Sequence, residues 1–180
     1  MPGLRDKTIT MAHGGGGRAM RELIERLIVP AFANPLLAPL EDQARIDVRG
    51  LAEIGDRLAF TTDSYVVSPL FFAGGDIGKL AICGTVNDLA MSGAVPLFLS
   101  CGLIIEEGFA TADLERVLAS MSAAARQAGV QVVTGDTKVV NRGAADRLFI
   151  NTAGIGVIPK GVNISATRAQ PGDKIGRAHV

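Results

Sequence analysis

Three carboxylates stand at places in the chain where ordinary structural duty explains them poorly. Asp63 closes an apolar run, Asp88 falls on what reads as the apolar side of a helix, and Asp136 follows a short β-branched stretch. A carboxylate withdrawn from water costs several kcal/mol, as an order of magnitude (~), unless a cation or hydrogen bonds compensate it. No lysine or arginine lies one helical turn from Asp88. Magnesium answers this pattern: it is hard, takes oxygen ligands, and is commonly held by one or two carboxylates together with phosphate oxygens and water. Asn87 adds a neutral oxygen beside Asp88, and Lys138 could set a cation near a transferring phosphoryl group. A plainer reading stays open, in which Asp63 and Asp136 form turns and Asp88 is solvated on a differently phased helix.

The run His13-Gly14-Gly15-Gly16-Gly17 has no side chains that would hold phosphate away, and a helix starting just beyond it offers free N–H groups and the positive end of a dipole. The run fits neither GxxxxGK[ST] nor GxGxxG, so it reads equally as a flexible linker, with His13 an ordinary loop residue. Cys83 and Cys101 sit in apolar stretches and are expected as buried free thiols.

The elements that must position these groups follow from periodicity. A first helix is expected over RAMRELIERLIVPAF, with Met20, Leu23, Ile24 and Leu27 on one face and Pro30 and Pro35 ending it. A strand is expected over Arg57 to Asp63, then a glycine turn, then a helix from Asp76 with Ile77, Leu80, Ala81, Gly84, Asp88 and Met91 along one face. Leu97 to Ile105 reads as a central strand with both faces covered. Thr111 is expected to cap a helix whose face is Leu114, Val117, Leu118, Met121, Ala125 and Ala128, closed by Gly129. Strands over Val130 to Thr134 and Leu148 to Ile158 complete a β-α-β-α-β-β order. That order predicts an α+β fold, a mixed sheet with helices on one face.

Composition narrows the partners. The chain has 180 residues, 48% of them hydrophobic, with 18 basic and 18 acidic side chains. The charge balance gives no reason to expect nucleic acid or an anionic membrane surface. The longest apolar stretch is far below the roughly 20 residues of a membrane-spanning helix, and the N-terminus lacks a secretory h-region, so a cytoplasmic location is expected.

Taken together, HGGGG, TTDSYVVSPLFFAGGDIGKLAICGTVNDLAMSGAVPLFLS and GDTKVV resemble the signature blocks of the HypE hydrogenase-maturation family, in the AIR-synthase-related superfamily. The resemblance runs from His13 to about Lys160. It implies a glycine-rich segment and first helix over 1–40, an AIR-synthase-like N-terminal domain binding ATP and Mg2+ over 41–158, and the beginning of a C-terminal domain over 159–180. It further implies a homodimer whose sheets close a barrel, with ATP in a cleft. The family activity it implies is ATP-dependent dehydration of a protein-bound thiocarbamate to a thiocyanate, for the cyanide ligands of hydrogenase iron. Its partners would be a carbamoyltransferase-type maturation protein and the hydrogenase iron scaffold complex.

Carried onto this sequence, Asp63, Asp88 and Asp136 would hold metal and phosphate, Asn87, Gly135 and Thr137 would support them, and Lys138 with Asp88 would serve catalysis. His13 and Gly14, Gly15, Gly16 and Gly17 would cover the phosphates. Two departures stand out: the family's terminal acceptor cysteine is missing, since the chain ends at Val180, and residues 175–180 match a reading frame of a common sequencing adapter and are read as non-native. Selenophosphate synthetase, thiamine-phosphate kinase and aminoimidazole-ribotide synthase are rival superfamily members, and an inactive dimerisation module is the alternative of another class.

Overall fold

The computed structural model describes Leu4 and residues 6–174; the adapter-like tail lies outside them. Strands β1 (Arg57–Tyr65), β4 (Val95–Glu106), β5 (Gln131–Val140) and β6 (Leu148–Ile158) form one sheet in the order β1-β6-β4-β5. The sheet is mixed: β4 and β5 run parallel, while β6 is antiparallel to both β1 and β4. Helix α4 (Ile77–Met91) lies across β1 and β6, and α5 (Thr111–Ala128) packs against α4. The α+β frame and its β-α-β-α-β-β order are as expected, with α4 and α5 on the same side.

Each element has a local cause. Asp76 caps α4 by accepting the Lys79 N–H at 2.9 Å, just after a small hairpin, β2 (Phe71–Phe72) and β3 (Gly75–Asp76), whose turn puts Gly74 at φ +90°. Helix α5 ends on Gly129 in the left-handed conformation, as its sequence announces. Its start differs from expectation: Ala110 is the N-cap, and the Thr111 hydroxyl donates instead to the Asp6 carbonyl at 2.7 Å. Leu114, Val117, Leu118, Met121 and Ala125 are buried, whereas Ala128 is exposed in the last turn.

Other boundaries shift too. Pro30 does not end the first helix: helical backbone runs through α1 (Arg18–Leu23), a π turn (Ile24–Ile28) and α2 (Val29–Phe32). Proline has no N–H to return to Arg26, and the wider turn just before it accommodates that loss. The loop that follows contains an unanticipated helix, α3 (Val48–Ile54), capped by Asp47 accepting the Arg49 N–H at 2.9 Å.

The core lies between the sheet and its helices, with Ile77, Ile82, Leu99, Ile105, Leu114, Leu118, Leu148 and Ile150 essentially inaccessible to water. The opposite face of the sheet is covered only at one end, where α3 lies against β6 and Val157 is buried; elsewhere it carries no covering layer among the described residues. Leu58 is 60% and Phe60 71% exposed there, with Ile104 and Val95 also exposed. β4 is therefore central by its two neighbours, but not covered on both faces within one chain as its apolar sequence suggested.

Candidate functional site

The expected site residues divide between the two edges of the sheet. On β1, alternate side chains Ala59, Thr61, Asp63 and Tyr65 turn toward α4. Two contacts fix how helix and strand lie: the Thr61 hydroxyl donates to Asp88 Oδ2 at 3.3 Å, and the Tyr65 hydroxyl meets Thr85 Oγ1 at 3.3 Å. Asp63 falls between those two points, so Asp63 and Asp88 share this edge, and Asn87 is exposed next to Asp88 in α4.

A buried chain of hydroxyls braces it. Thr85 Oγ1 lies 2.5 Å from Thr152 Oγ1, and Thr152 donates to the Ala81 carbonyl at 3.2 Å. Gly84 makes room for Tyr65, because a methyl group there would stand 2.3 Å from the tyrosine oxygen. Burial raises the pKa of Tyr65; its bond to Thr85 opposes the shift, and the charge of Asp63 adds to it.

Here the structure corrects two expectations. β1 continues to Tyr65, so Asp63 is inside the strand and not at its end. The buried face of α4 is Ile77, Gly78, Ala81, Ile82, Thr85 and Leu89; Leu80, Asp88 and Met91 are exposed. Asp88 is thus a solvated carboxylate at the edge of the strand–helix layer, and the desolvation argument for a metal at Asp88 lapses.

At the opposite edge, β5 passes through Gly135, Asp136, Thr137 and Lys138 without ending, so Asp136 is a mid-strand residue rather than a strand terminus. Asp136 and Lys138 stand on the open face, while Gly135 and Thr137 turn to the helical side, where Thr137 is buried. Asp136 Oδ1 accepts the Thr137 N–H at 2.9 Å. Among the described residues no ion pair engages Lys138. Gly135 is dictated by packing, because a methyl group would stand 2.1 Å from the Cys101 carbonyl oxygen. The glycine run belongs to this edge as well: Gly14 packs on Val139, where a methyl would lie 2.8 Å from the backbone nitrogen. Gly16 has φ +76°, and Gly15, Gly16 and Gly17 are exposed.

His13 departs from the nucleotide role expected of it. Its ring is 1% exposed; Nδ1 accepts the Thr10 N–H at 3.1 Å, and Nε2 faces Asp6 Oδ2 at 3.5 Å. A ring engaged at both nitrogens and sealed from solvent has no atom left for a ligand. Cys101 is buried as expected, its thiol pushed up to about 12 by burial, whereas Cys83 is only half-buried.

Among the described residues no three His, Cys, Asp or Glu side chains converge into a metal cluster. Asp63 and Asp88 share one edge; Asp136 is three strands away, about 14 Å at ~4.8 Å per strand, and on the other face. Two carboxylates suffice for magnesium when phosphate and water complete the shell, so the donor set of the β1–α4 edge fits that ion. Sequence reasoning passed over Thr61, Tyr65, Thr85 and Thr152. Tyr65 is the chain's single tyrosine, which was the available signal.

The fold and these two edges define an AIR-synthase-type domain, and the chain belongs to the family described as AIR synthase related protein, N-terminal domain, matched over residues 41–158. Within that family it is similar to carbamoyl dehydratase HypE of Escherichia coli, 60% identical over 92% of this chain and 49% of the relative. The Rhodobacter capsulatus carbamoyl dehydratase HypE is 58% identical over 94% of this chain and 49% of its own length. The chain spans about half the length of these curated relatives. Among solved structures, the hydrogenase maturation protein HypE in complex with ATP superposes with a TM-score of 0.86 at 55% identity, covering 92% of this chain and 48% of that one. HypE in a HypE–HypF complex superposes with a TM-score of 0.64 at 52% identity, over 83% of this chain and 47% of that one. Among the described residues, no helix is long and apolar enough to cross a membrane.

Proposed function

We propose that this chain is the ATP- and magnesium-binding half of a carbamoyl dehydratase that supplies cyanide for hydrogenase iron. The observation that carries the reading is the pair of edges: carboxylates with an amide at β1–α4, and a glycine loop with Asp136 and Lys138 at β5, in a domain similar to an ATP-bound HypE. In the reaction the carbamoyl oxygen of a thiocarbamate attacks the γ-phosphorus and ADP departs. The C–O bond then breaks with loss of phosphate, and the nitrogen gives up both protons to leave a thiocyanate. Amide oxygen is a poor leaving group and phosphate a good one, so the protein's work is positioning and neutralising charge. Asp63 and Asp88, with Asn87 beside them, would hold magnesium. Lys138 would neutralise the transferring phosphoryl group, while Asp136 and the glycine loop keep the phosphates in place.

Because one chain keeps the two edges apart, the complete site would form between copies. The open apolar face of the sheet is the natural contact for a homodimer, and two such faces would close into a barrel. A HypF-type carbamoyl-transferring protein and an iron scaffold would be the partners, and the cytoplasm the location. The same separation of edges favours a second reading, in which this chain alone is a dimerising module without turnover. Calorimetric titration of ATP with magnesium into the chain and its Asp88→Asn variant decides between them. Magnesium-dependent binding lost in the variant is the expected result; no binding by a folded dimer would leave the dimerising module.

A further inference from the structure

The glycine loop is held by its root, and the root turns on a buried histidine. Residues 6–11 run along the connection between β4 and α5. The Ile9 N–H donates to the Phe109 carbonyl at 2.8 Å, the Gly108 N–H to the Ile9 carbonyl at 2.7 Å, and the Thr111 N–H to the Lys7 carbonyl at 3.0 Å. Thr8 bridges to Ala110, and Ile9 is fully buried. A 3-10 turn, Met11–Gly14, then carries the chain to β5, where Gly14 meets Val139. Beyond Gly14 the tethers are weak: the Gly15 N–H reaches the Ala12 carbonyl only at 3.5 Å, and the Gly16 N–H reaches Met20 Sδ at 3.2 Å. Gly15, Gly16 and Gly17 are exposed, and a methyl group on Gly16 or Gly17 would meet nothing within 4 Å.

An aliphatic side chain would fill this turn at less cost than an imidazole, whose polar atoms must be paired once buried. The His13 ring is 1% exposed and engages both nitrogens on the arm itself. Nδ1 lies 3.1 Å from the Thr10 backbone nitrogen and 3.0 Å from the Thr10 hydroxyl. A backbone N–H can only donate, so Nδ1 accepts and the ring proton sits on Nε2, facing Asp6 Oδ2 at 3.5 Å. Asp6 is in turn tied to α5, its carbonyl accepting the Thr111 hydroxyl at 2.7 Å. His13 therefore closes the arm on itself and sets the angle at which Gly14 leaves for β5. The tolerance there is small, since a methyl group on Gly14 would stand 2.8 Å from the Val139 backbone nitrogen. A satisfied buried polar contact fixes one arrangement where apolar packing would permit several.

We propose that His13 is a positioning residue for the glycine loop: by accepting the Thr10 N–H it fixes the turn that seats Gly14 on Val139. Gly15, Gly16 and Gly17 are thereby held where their N–H groups can meet a phosphate. His13 touches no ligand and acts only through the loop. Without it the loop samples other arrangements, and affinity falls in proportion to the time the seated one is occupied. This rests on the reading of the loop as the cover of the ATP phosphates and adds the residue that holds the cover in place.

The test follows three substitutions in the 180-residue chain by the 1H–15N heteronuclear NOE of the loop glycines and by calorimetric titration of magnesium-ATP. His13→Asn puts an amide oxygen near the position of Nδ1 and keeps the acceptor for Thr10. His13→Gln reaches instead toward Asp6 and leaves the Thr10 N–H without that acceptor, and His13→Leu fills the space with no acceptor at all. The Leu and Gln variants are expected to lower the glycine NOE and to bind magnesium-ATP about tenfold more weakly, while Asn stays within about twofold of wild type. Adenosine, which has no phosphate, should bind all of these chains alike; a merely structural histidine would weaken both ligands in step with a fall in the urea midpoint. Wild-type loop order and affinity in His13→Leu and His13→Gln would overturn the proposal, as would an Asn variant as weak as Leu or an equal loss of adenosine. If His13→Leu fails to fold, the contrast between Asn and Gln decides. A wild-type chain that has an ordered loop yet takes up no magnesium-ATP sinks the phosphate reading, and loop order in the variants then decides the role of His13 by itself.

Discussion

The two edges of the sheet hold their candidate functional groups by different physics. At β1–α4 the work is done by side chains: Tyr65, Thr85 and Thr152 link strand, helix and neighbouring strand through buried hydroxyls, and Thr61 reaches Asp88. At β5 it is done by the absence of side chains. Gly135 brings β5 against the Cys101 carbonyl, and Gly14 lets the glycine loop lie on Val139. A hydrogen-bonded brace is directional and fails when one partner is removed; a steric fit fails when one atom is added. The difference teaches that neutral polar residues and glycines can position a charged site as firmly as charged neighbours do.

The sharpest challenge to the comparison is to separate the edges genetically. If each site pairs the β1–α4 edge of one copy with the β5 edge of another, Asp88→Asn and Lys138→Ala chains should each fail to bind magnesium-ATP. Their equimolar mixture, refolded together, should then regain about a quarter of the sites. Calorimetry of the mixture that shows no recovery would place both edges in one site of a single chain.

Next in size is Gly135→Ala, which must move backbone against backbone and should cost about 3 kcal/mol or more in urea unfolding. A near-neutral result would remove the steric account of the β5 edge. Thr152→Val should cost about 1–3 kcal/mol by taking from the buried Thr85 hydroxyl its partner on β6. If it proves neutral, the hydroxyl chain is not the brace of the β1–α4 edge.

The smallest effect per step concerns Cys101, on the strand between the edges. Its folded thiol is raised to about 12 from an ordinary 9.0 by burial, so the unfolded chain loses that proton first as pH rises. Stability should be unaffected by this group below pH 9 and fall by roughly 1.4 kcal/mol per pH unit from about 9 toward 12. Cys101→Ala should remove that component of the alkaline slope measured by urea unfolding at each pH.

Much of the frame is legible in the amino-acid order because it rests on local rules. The β-α-β-α-β-β order, the Gly129 stop, the Asp76 start and the inward face of α5 all follow from caps and a clean 3.6-residue period. α4 was harder, since apolar residues lie nearly all round it. Its inward face is set where Gly78 meets α5, a methyl there lying 2.6 Å from the Val117 carbonyl oxygen. Asp88 consequently turns out to solvent, and no periodicity within the helix could have said so.

The sequence by itself determined which residue types are proposed for the site: three aspartates, an asparagine, a lysine and a glycine run, in an order similar to HypE. Only the tertiary structure decided their grouping. Strand order is fixed by long-range pairing that no local pattern encodes, and placing β6 and β4 between β1 and β5 sends Asp63 and Asp88 to one edge and Asp136 and Lys138 to the other. It also buries His13, whose turn packs against β5, a neighbour distant in the chain.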